Sequence, residues 1–149
     1  MYKKILVPLD GSELAECALP HVINLAKKDP ASEVILLNVI KVELQARSSG
    51  FLDINAIRAE LFSESRKYLA GVESRIASEG IKVKTESLEG YRPSETISDY
   101  AQKDNMDLIV IASHGYTGLK KLMFGSVALG ILHDAHVPVL LIRPESCKK

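Results

Sequence analysis

The sequence predicts an α/β fold, an open and mostly parallel five-stranded sheet with helices on both faces. Two observations carry this expectation. Short β-branched apolar runs recur as continuous stretches, the pattern of strands covered on both faces, and they alternate with longer segments whose apolar residues repeat every three or four positions. The chain has 149 residues, 46% of them hydrophobic and 26% charged, which is the balance of an ordinary globular chain and excludes a disordered or fibrous one. That length suits a single core, so one domain over residues 1–149 is expected.

The elements follow in order. Lys4-Ile5-Leu6-Val7-Pro8-Leu9 reads as a first strand that ends at Asp10-Gly11-Ser12, a turn and helix-start signal. Leu14, Cys17, Ala18, His21, Val22 and Leu25 mark the first helix, with Pro20 as the place for a kink or irregular turn. Val34 to Ile40 is a second buried strand, and the aperiodic stretch from Lys41 to Asn55 is a surface loop. Ile57, Leu61, Tyr68, Leu69, Val72 and Ile76 define a long amphipathic helix stopped by Gly80. Ile81 to Leu88 alternates apolar and polar residues as an edge or half-covered strand does, and Pro93 or Ser94 opens a helix with Ile97, Tyr100 and Ala101 inward. Asp107 to Ala112 is the most hydrophobic strand and is expected to be central. Ser126 to His133 reads as the final helix and Val137 to Ile142 as the last strand. Pro138 donates no ladder hydrogen bond, so that strand belongs at an edge.

Charge narrows the function classes. Lys plus Arg and Asp plus Glu both number 19, for a formal net charge of +0, and no long run of one sign occurs. This offers no argument for a nucleic-acid or membrane partner. The apolar runs are too short to span a bilayer, and Met1-Tyr2-Lys3-Lys4 leads straight into a strand, so a cytoplasmic location is expected. Cys17 and Cys147 match neither a disulfide framework nor a metal knuckle; Cys17 reads as a small buried hydrophobe and Cys147 as an exposed thiol.

In a parallel sheet ligands sit beyond the carboxyl ends of the strands, where the strand order reverses. After the fourth strand stand Ser113-His114-Gly115-Tyr116-Thr117-Gly118, a connector, and Phe124-Gly125-Ser126 at a helix start. Gly115 lets the main chain approach a ligand closely. Gly125 and Ser126 offer two backbone N–H groups and a hydroxyl at the positive end of a helix, where an anion is favoured. Each residue taken singly has a plainer reading, the glycines as turn residues and Ser126 as a helix cap. Together, between the most buried strand and a helix, they point to a phosphate cradle. Asp10 just before Gly-Ser suits a helix entry, and His114 either faces phosphate or serves the turn. Lys120 and Lys121 in the connector either screen phosphate charge or, the plainer reading, form a solvated face.

The chain resembles the universal stress protein family, in particular its nucleotide-binding branch. That branch carries Gly, two residues, Gly, nine residues, then Gly-Ser or Gly-Thr. Here Ala112 stands at the first glycine, followed by Ser113-His114, Gly115, the stretch Tyr116 to Phe124, and Gly125-Ser126. The opening Lys4-Ile5-Leu6-Val7-Pro8-Leu9-Asp10-Gly11-Ser12 and the closing Pro138 to Ile142 are also similar to the family's, so the likeness runs through nearly the whole chain. It implies an adenine nucleotide alpha hydrolase-like sheet in the order 3-2-1-4-5 and a homodimer paired through Val137 to Ile142. It further implies ATP, or AMP or ADP, as ligand, with Asp10 meeting the nucleotide and Val39 meeting adenine through its backbone. The implied binding set is Pro8, Leu9, Asp10, Val39, Ala112, Ser113, His114, Gly115, Gly125, Ser126 and Val127.

Three functions compete on this reading. The first is a nucleotide-dependent sensor or regulator in stress response. No Gly-Lys-Ser or Gly-Lys-Thr phosphate loop and no clear base and nucleophile pair occur, so at most slow ATP hydrolysis is expected. Mg²⁺ would travel with the nucleotide, held by phosphate oxygens and water, because Ser113 to Ser126 contains no carboxylate. The second is a dimeric interaction protein of the same family that binds no nucleotide, which Ala112 favours. The third, a phosphoacceptor using an aspartate after strand one, wants an acidic pair beside Asp10 and a lysine after the last strand, where Pro8-Leu9 and Arg143-Pro144 stand instead.

Overall fold

A computed structural model describes residues 2–43, 53–114 and 125–143. Gly115 and the lysines Lys120 and Lys121 lie outside the described residues, as does most of the loop read between Lys41 and Asn55. Within the described residues the order is β1 (Lys4–Pro8), α1 (Glu13–Glu16), α2 (Leu19–Ala26), β2 (Glu33–Ile40), α3 (Ile54–Ala77), β3 (Lys82–Glu89), α4 (Pro93–Lys103), β4 (Leu108–Ala112), α5 (Ser126–Asp134) and β5 (Val139–Ile142). The strands form one parallel sheet in the order β3-β2-β1-β4-β5.

Two apolar layers sandwich the sheet, as parallel strands require when crossover helices cover both faces. On one face Ile5, Val7, Val34, Leu36 and Val110 pack against Val22 of α2 and Leu69, Val72 and Ile76 of α3. On the other, Leu6, Ile35, Leu37, Ile109 and Ile111 pack against Ile97 and Ala101 of α4 and Ile131 of α5. Each fully buried Val, Leu or Ile contributes about 1.5–3 kcal/mol, so these layers dominate the fold's stability.

Three expectations need adjusting. The first helix divides in two, because Pro20 has no N–H to continue a ladder from α1 and instead occupies the first turn of α2, where none is needed. β4, by contrast, is interior and wholly buried, as its apolar run required. β5 starts at Val139 rather than Val137; the Pro138 carbonyl accepts from the Ile109 N–H at 2.9 Å, and the strand lies at the edge as Pro138 foretold. Cys17 is half-buried and is not a free thiol, so it is not the inert buried hydrophobe that its spacing suggested.

The local signals for the helix ends are realised. Asp53 caps α3 by accepting from the N–H groups of Asn55 and Ala56, which starts that helix three residues ahead of its first periodic residue, Ile57. Gly80 ends the same region with φ +83°, a left-handed conformation that a side chain resists. Among the described residues no helix is long and apolar enough to cross a membrane.

Candidate functional site

The carboxyl ends of β1 and β4 part where the chain order reverses, β1 leading on toward β2 and β4 toward β5. A cavity of about 210 Å³ opens there. Two stretches of chain face each other across it, and their hydrogen bonding differs.

On the β1 side, the ladder to β2 runs one residue past the strand, with the Leu9 N–H donating to the Leu37 carbonyl at 2.8 Å. The Leu9 carbonyl then accepts from Asn38 Nδ2 at 2.8 Å. Asp10 follows, exposed, with Oδ1 accepting from the Ser12 N–H at 2.9 Å and the Ser12 hydroxyl at 2.6 Å. Gly11 between them has φ +89°, which is why a glycine suits this turn. Ser12 Oγ in turn caps α1 by accepting from the Ala15 N–H at 3.1 Å. α1 is tied to α3 through Glu16, which accepts from Tyr68 Oη at 2.8 Å and from Arg75 Nη2 at 2.5 Å. Burial first, then the Glu16 carboxylate, with a smaller contribution from Asp10, pushes the Tyr68 hydroxyl above its ordinary pKa, so it stays a donor to Glu16.

On the β4 side the groups are less satisfied. Ala112 is buried, and the Ser113 N–H completes the pairing to β5 by donating to the Ile142 carbonyl at 2.8 Å. Ser113 Oγ lies 2.9 Å from His114 Nδ1, while His114 Nε2 is buried with no hydrogen-bond partner among the described residues. A buried imidazole nitrogen without a partner is costly unless a ligand or water completes it. α5 begins after Gly125, which sits at the N-cap with no side-chain cap bond; the first ladder bond runs from the Leu129 N–H to the Gly125 carbonyl. The amides of Ser126, Val127 and Ala128 therefore have no partner among the described residues at the positive end of the helix.

The geometry brings together the expected residues that it describes. Pro8, Leu9, Asp10, Val39, Ala112, Ser113, His114, Gly125, Ser126 and Val127 all line the cavity. One detail differs from the sequence reading: the Gly125 N–H is not open to an anion, because it donates to the Ser113 carbonyl at 2.7 Å. Its role passes to the amides one and two residues further on. Nor does the Ser126 hydroxyl cap the helix, since Gly125 holds that position with extended backbone.

The sequence reading missed part of the apolar lining, made by Ala15, Leu37, Ile111 and Ala128 with Pro93 and Ile97 of α4. Leu37 was recoverable, since it lies two residues before Val39 on the same face of β2. Pro93 and Ile97 carried no local signal, because only the packing of α4 over the sheet brings them there. Asp10 is the one carboxylate in the described lining.

Fold and site define a class: a parallel α/β protein with an apolar slot at the strand reversal, one carboxylate on one side, and open helix amides on the other. The universal stress protein family model matches residues 1–143, and the chain belongs to that family. It is 38% identical over 147 residues to universal stress protein MJ0531 of Methanocaldococcus jannaschii, covering 96% of this chain and 83% of that one. It is 35% identical over 157 residues to universal stress protein MJ0577 of the same organism, covering 96% of each. The solved structure of MJ0577 superposes with a TM-score of 0.82 and covers 96% of both chains at 34% identity. Two more distant structures share the fold at 17% identity: a universal stress protein in complex with cAMP, TM-score 0.67, covering 96% of this chain and 98% of that one, and an Arabidopsis thaliana family member with AMP bound, TM-score 0.68, covering 95% and 91%.

Proposed function

We propose that this protein binds an adenine nucleotide, ATP foremost, in the cavity between β1 and α5, and acts as a nucleotide-dependent sensor or regulator. The observation that carries the proposal is the open N-terminus of α5 beside the unpartnered His114 Nε2, facing an apolar slot lined by Leu37, Val39, Ile97 and Ile111. Helix amides attract phosphate, and the slot suits a flat base. Asp10 adds a ribose acceptor through Oδ2, which makes no hydrogen bond among the described residues. The adenine nucleotides bound by the two distant fold relatives support the same ligand class. Mg²⁺ would arrive with the triphosphate, since a single lining carboxylate is too little for a dedicated site.

The test is mass analysis of nucleotide released from freshly purified, denatured protein, followed by calorimetric titration with ATP, ADP and AMP. Recovery of ATP, or uptake of ATP in preference to the other two, is expected. No release and no heat with any of the three would leave the second reading, a family member that binds no nucleotide. Ala112 favours that reading, because its buried methyl lines the cavity where the nucleotide-binding branch has glycine.

We also propose that the chain pairs with a second copy along Val137 to Ile142. β5 is an edge strand, and Leu140 on it and Leu129 and Leu132 on the neighbouring α5 are large apolar side chains left exposed. An apolar edge of this kind is normally covered. Light scattering of the wild type and of Leu140→Lys is expected to show a dimer and a monomer respectively, and a monomeric wild type at micromolar concentration would overturn the pairing.

A further inference from the structure

β2 reads Glu-Val-Ile-Leu-Leu-Asn-Val-Ile, and Asn38 interrupts an otherwise apolar run. Ile35, Leu37 and Val39 belong to the face that carries the cavity, whereas Asn38 alternates with Val34 and Leu36 on the opposite face, beneath α3. Its amide bridges three elements. Nδ2 donates to the Leu9 carbonyl at 2.8 Å, and Oδ1 accepts from the hydroxyl of Ser65, a residue of α3 only 4% exposed, at 2.6 Å. Ser65 Oγ also lies 2.7 Å from Ser87 Oγ, and Ser87 is the register partner of Asn38 on β3.

Proton counting gives this network a direction. A hydroxyl has one proton, and that of Ser65 goes to Asn38, so Ser87 must be the donor to Ser65. The Leu9 carbonyl only accepts, so the nitrogen of the Asn38 amide must face it. The chain therefore runs one way, from Ser87 through Ser65 and Asn38 to the Leu9 carbonyl. Apolar residues of the same shape would fill this space at little cost, so a merely packed interior does not call for three polar side chains from three elements. They end on the Leu9 carbonyl, one residue past β1, in the peptide that leads into Asp10.

We propose that Asn38 is a positioning residue: its hydrogen-bond chain to Ser65 and Ser87 holds the Leu9–Asp10 peptide from the far face of the sheet and couples α3 to ligand binding at Asp10. The ligand half rests on the nucleotide reading above. Hydrogen bonds in series polarise one another, so a change at Ser65 reaches the Leu9 carbonyl without direct contact. By reciprocity, a ligand that draws on Asp10 shifts the environment of α3.

The experiment is ¹H–¹⁵N correlation spectroscopy of the wild type, Asn38→Asp and Ser65→Ala, each without ligand and then titrated with Mg²⁺ and ATP. Asn38→Asp keeps the size and the acceptor toward Ser65 but cannot donate to Leu9; Ser65→Ala breaks the chain one step earlier without adding charge. In the ligand-free proteins both variants are expected to shift the Asp10 and Gly11 amides. ATP affinity is expected to fall roughly tenfold for Asn38→Asp and roughly threefold for Ser65→Ala, the loss of one hydrogen bond and the weakening of one. A lower melting temperature with unmoved Asp10 and Gly11 amides and unchanged affinity would overturn the proposal and leave Asn38 a packing residue. If Asn38→Asp does not fold, Ser65→Ala decides by the same readouts. If the wild type takes up no ATP, the nucleotide reading and the coupling to it fail together, while the ligand-free amide shifts still uphold or overturn the positioning role.

Discussion

The β1 side of the cavity, Leu9 to Ser12, keeps its polar groups tied within the chain, whereas the β4 and α5 side, Ser113 to Ala128, leaves several unanswered. On the first side both backbone groups of Leu9, one carboxylate oxygen of Asp10 and the Ser12 hydroxyl are all engaged. On the second, the imidazole Nε2 of His114 and the opening amides of α5 have no partner among the described residues. A pre-organised wall costs little to hold in place when ligand arrives, and an unsatisfied wall gains hydrogen bonds from it. On the proposed nucleotide binding, the division lets one stretch set position while the other supplies attraction, and it separates the effects of substitutions on stability from those on affinity.

The largest effect is expected on the open side. Ser126→Pro removes both the hydroxyl and the N–H at the first residue of α5. The helix tolerates proline there, and Gly125 before it already has φ −65° and ψ 156°, the conformation that a following proline requires. Nucleotide affinity should fall roughly tenfold to a hundredfold, the value of one charge-assisted hydrogen bond. Stability should stay within about 0.5 kcal/mol, as for a surface change. Calorimetry beside thermal melting measures both, with Ser126→Ala, which keeps the amide, as the milder control. Equal affinity in Ser126→Pro and the wild type would show that phosphate does not use this helix end.

Asp10→Ala should act on both quantities. It frees the two Ser12 donors, at about 1 kcal/mol of stability, and removes the ribose acceptor, at roughly fivefold in affinity. The same pair of measurements applies, and a loss of stability with no loss of affinity would reduce Asp10 to a turn residue. The smallest effect on binding should come from Ser12→Ala, which removes the cap of α1 for about 1 kcal/mol. In a chain of this size that lowers the melting temperature by about 2–4 °C. Its affinity should stay within roughly twofold, and a larger loss would mean that the tied wall touches ligand directly through Ser12.

Local chemistry over a few residues determined much of this molecule from its sequence alone. The continuous apolar runs specified buried parallel strands, and Asp10-Gly11-Ser12 specified the turn with its left-handed glycine and its cap. Pro138 specified an edge, and the run Ala112 to His114 with Gly125-Ser126 specified residues that line the cavity at the strand reversal. The tertiary structure alone decided the rest. The Gly125 N–H reads as open until the fold brings the Ser113 carbonyl to it. Pro93 and Ile97 read as an ordinary helix start until α4 lies over the cavity. Asn38 meets Leu9, Ser65 and Ser87 only because β2 pairs with β1 and β3 and α3 crosses above them. The physical reason is that backbone preference and hydrophobic period act over a few neighbouring residues, whereas a hydrogen bond between distant residues depends on which strands adjoin and which helix covers them.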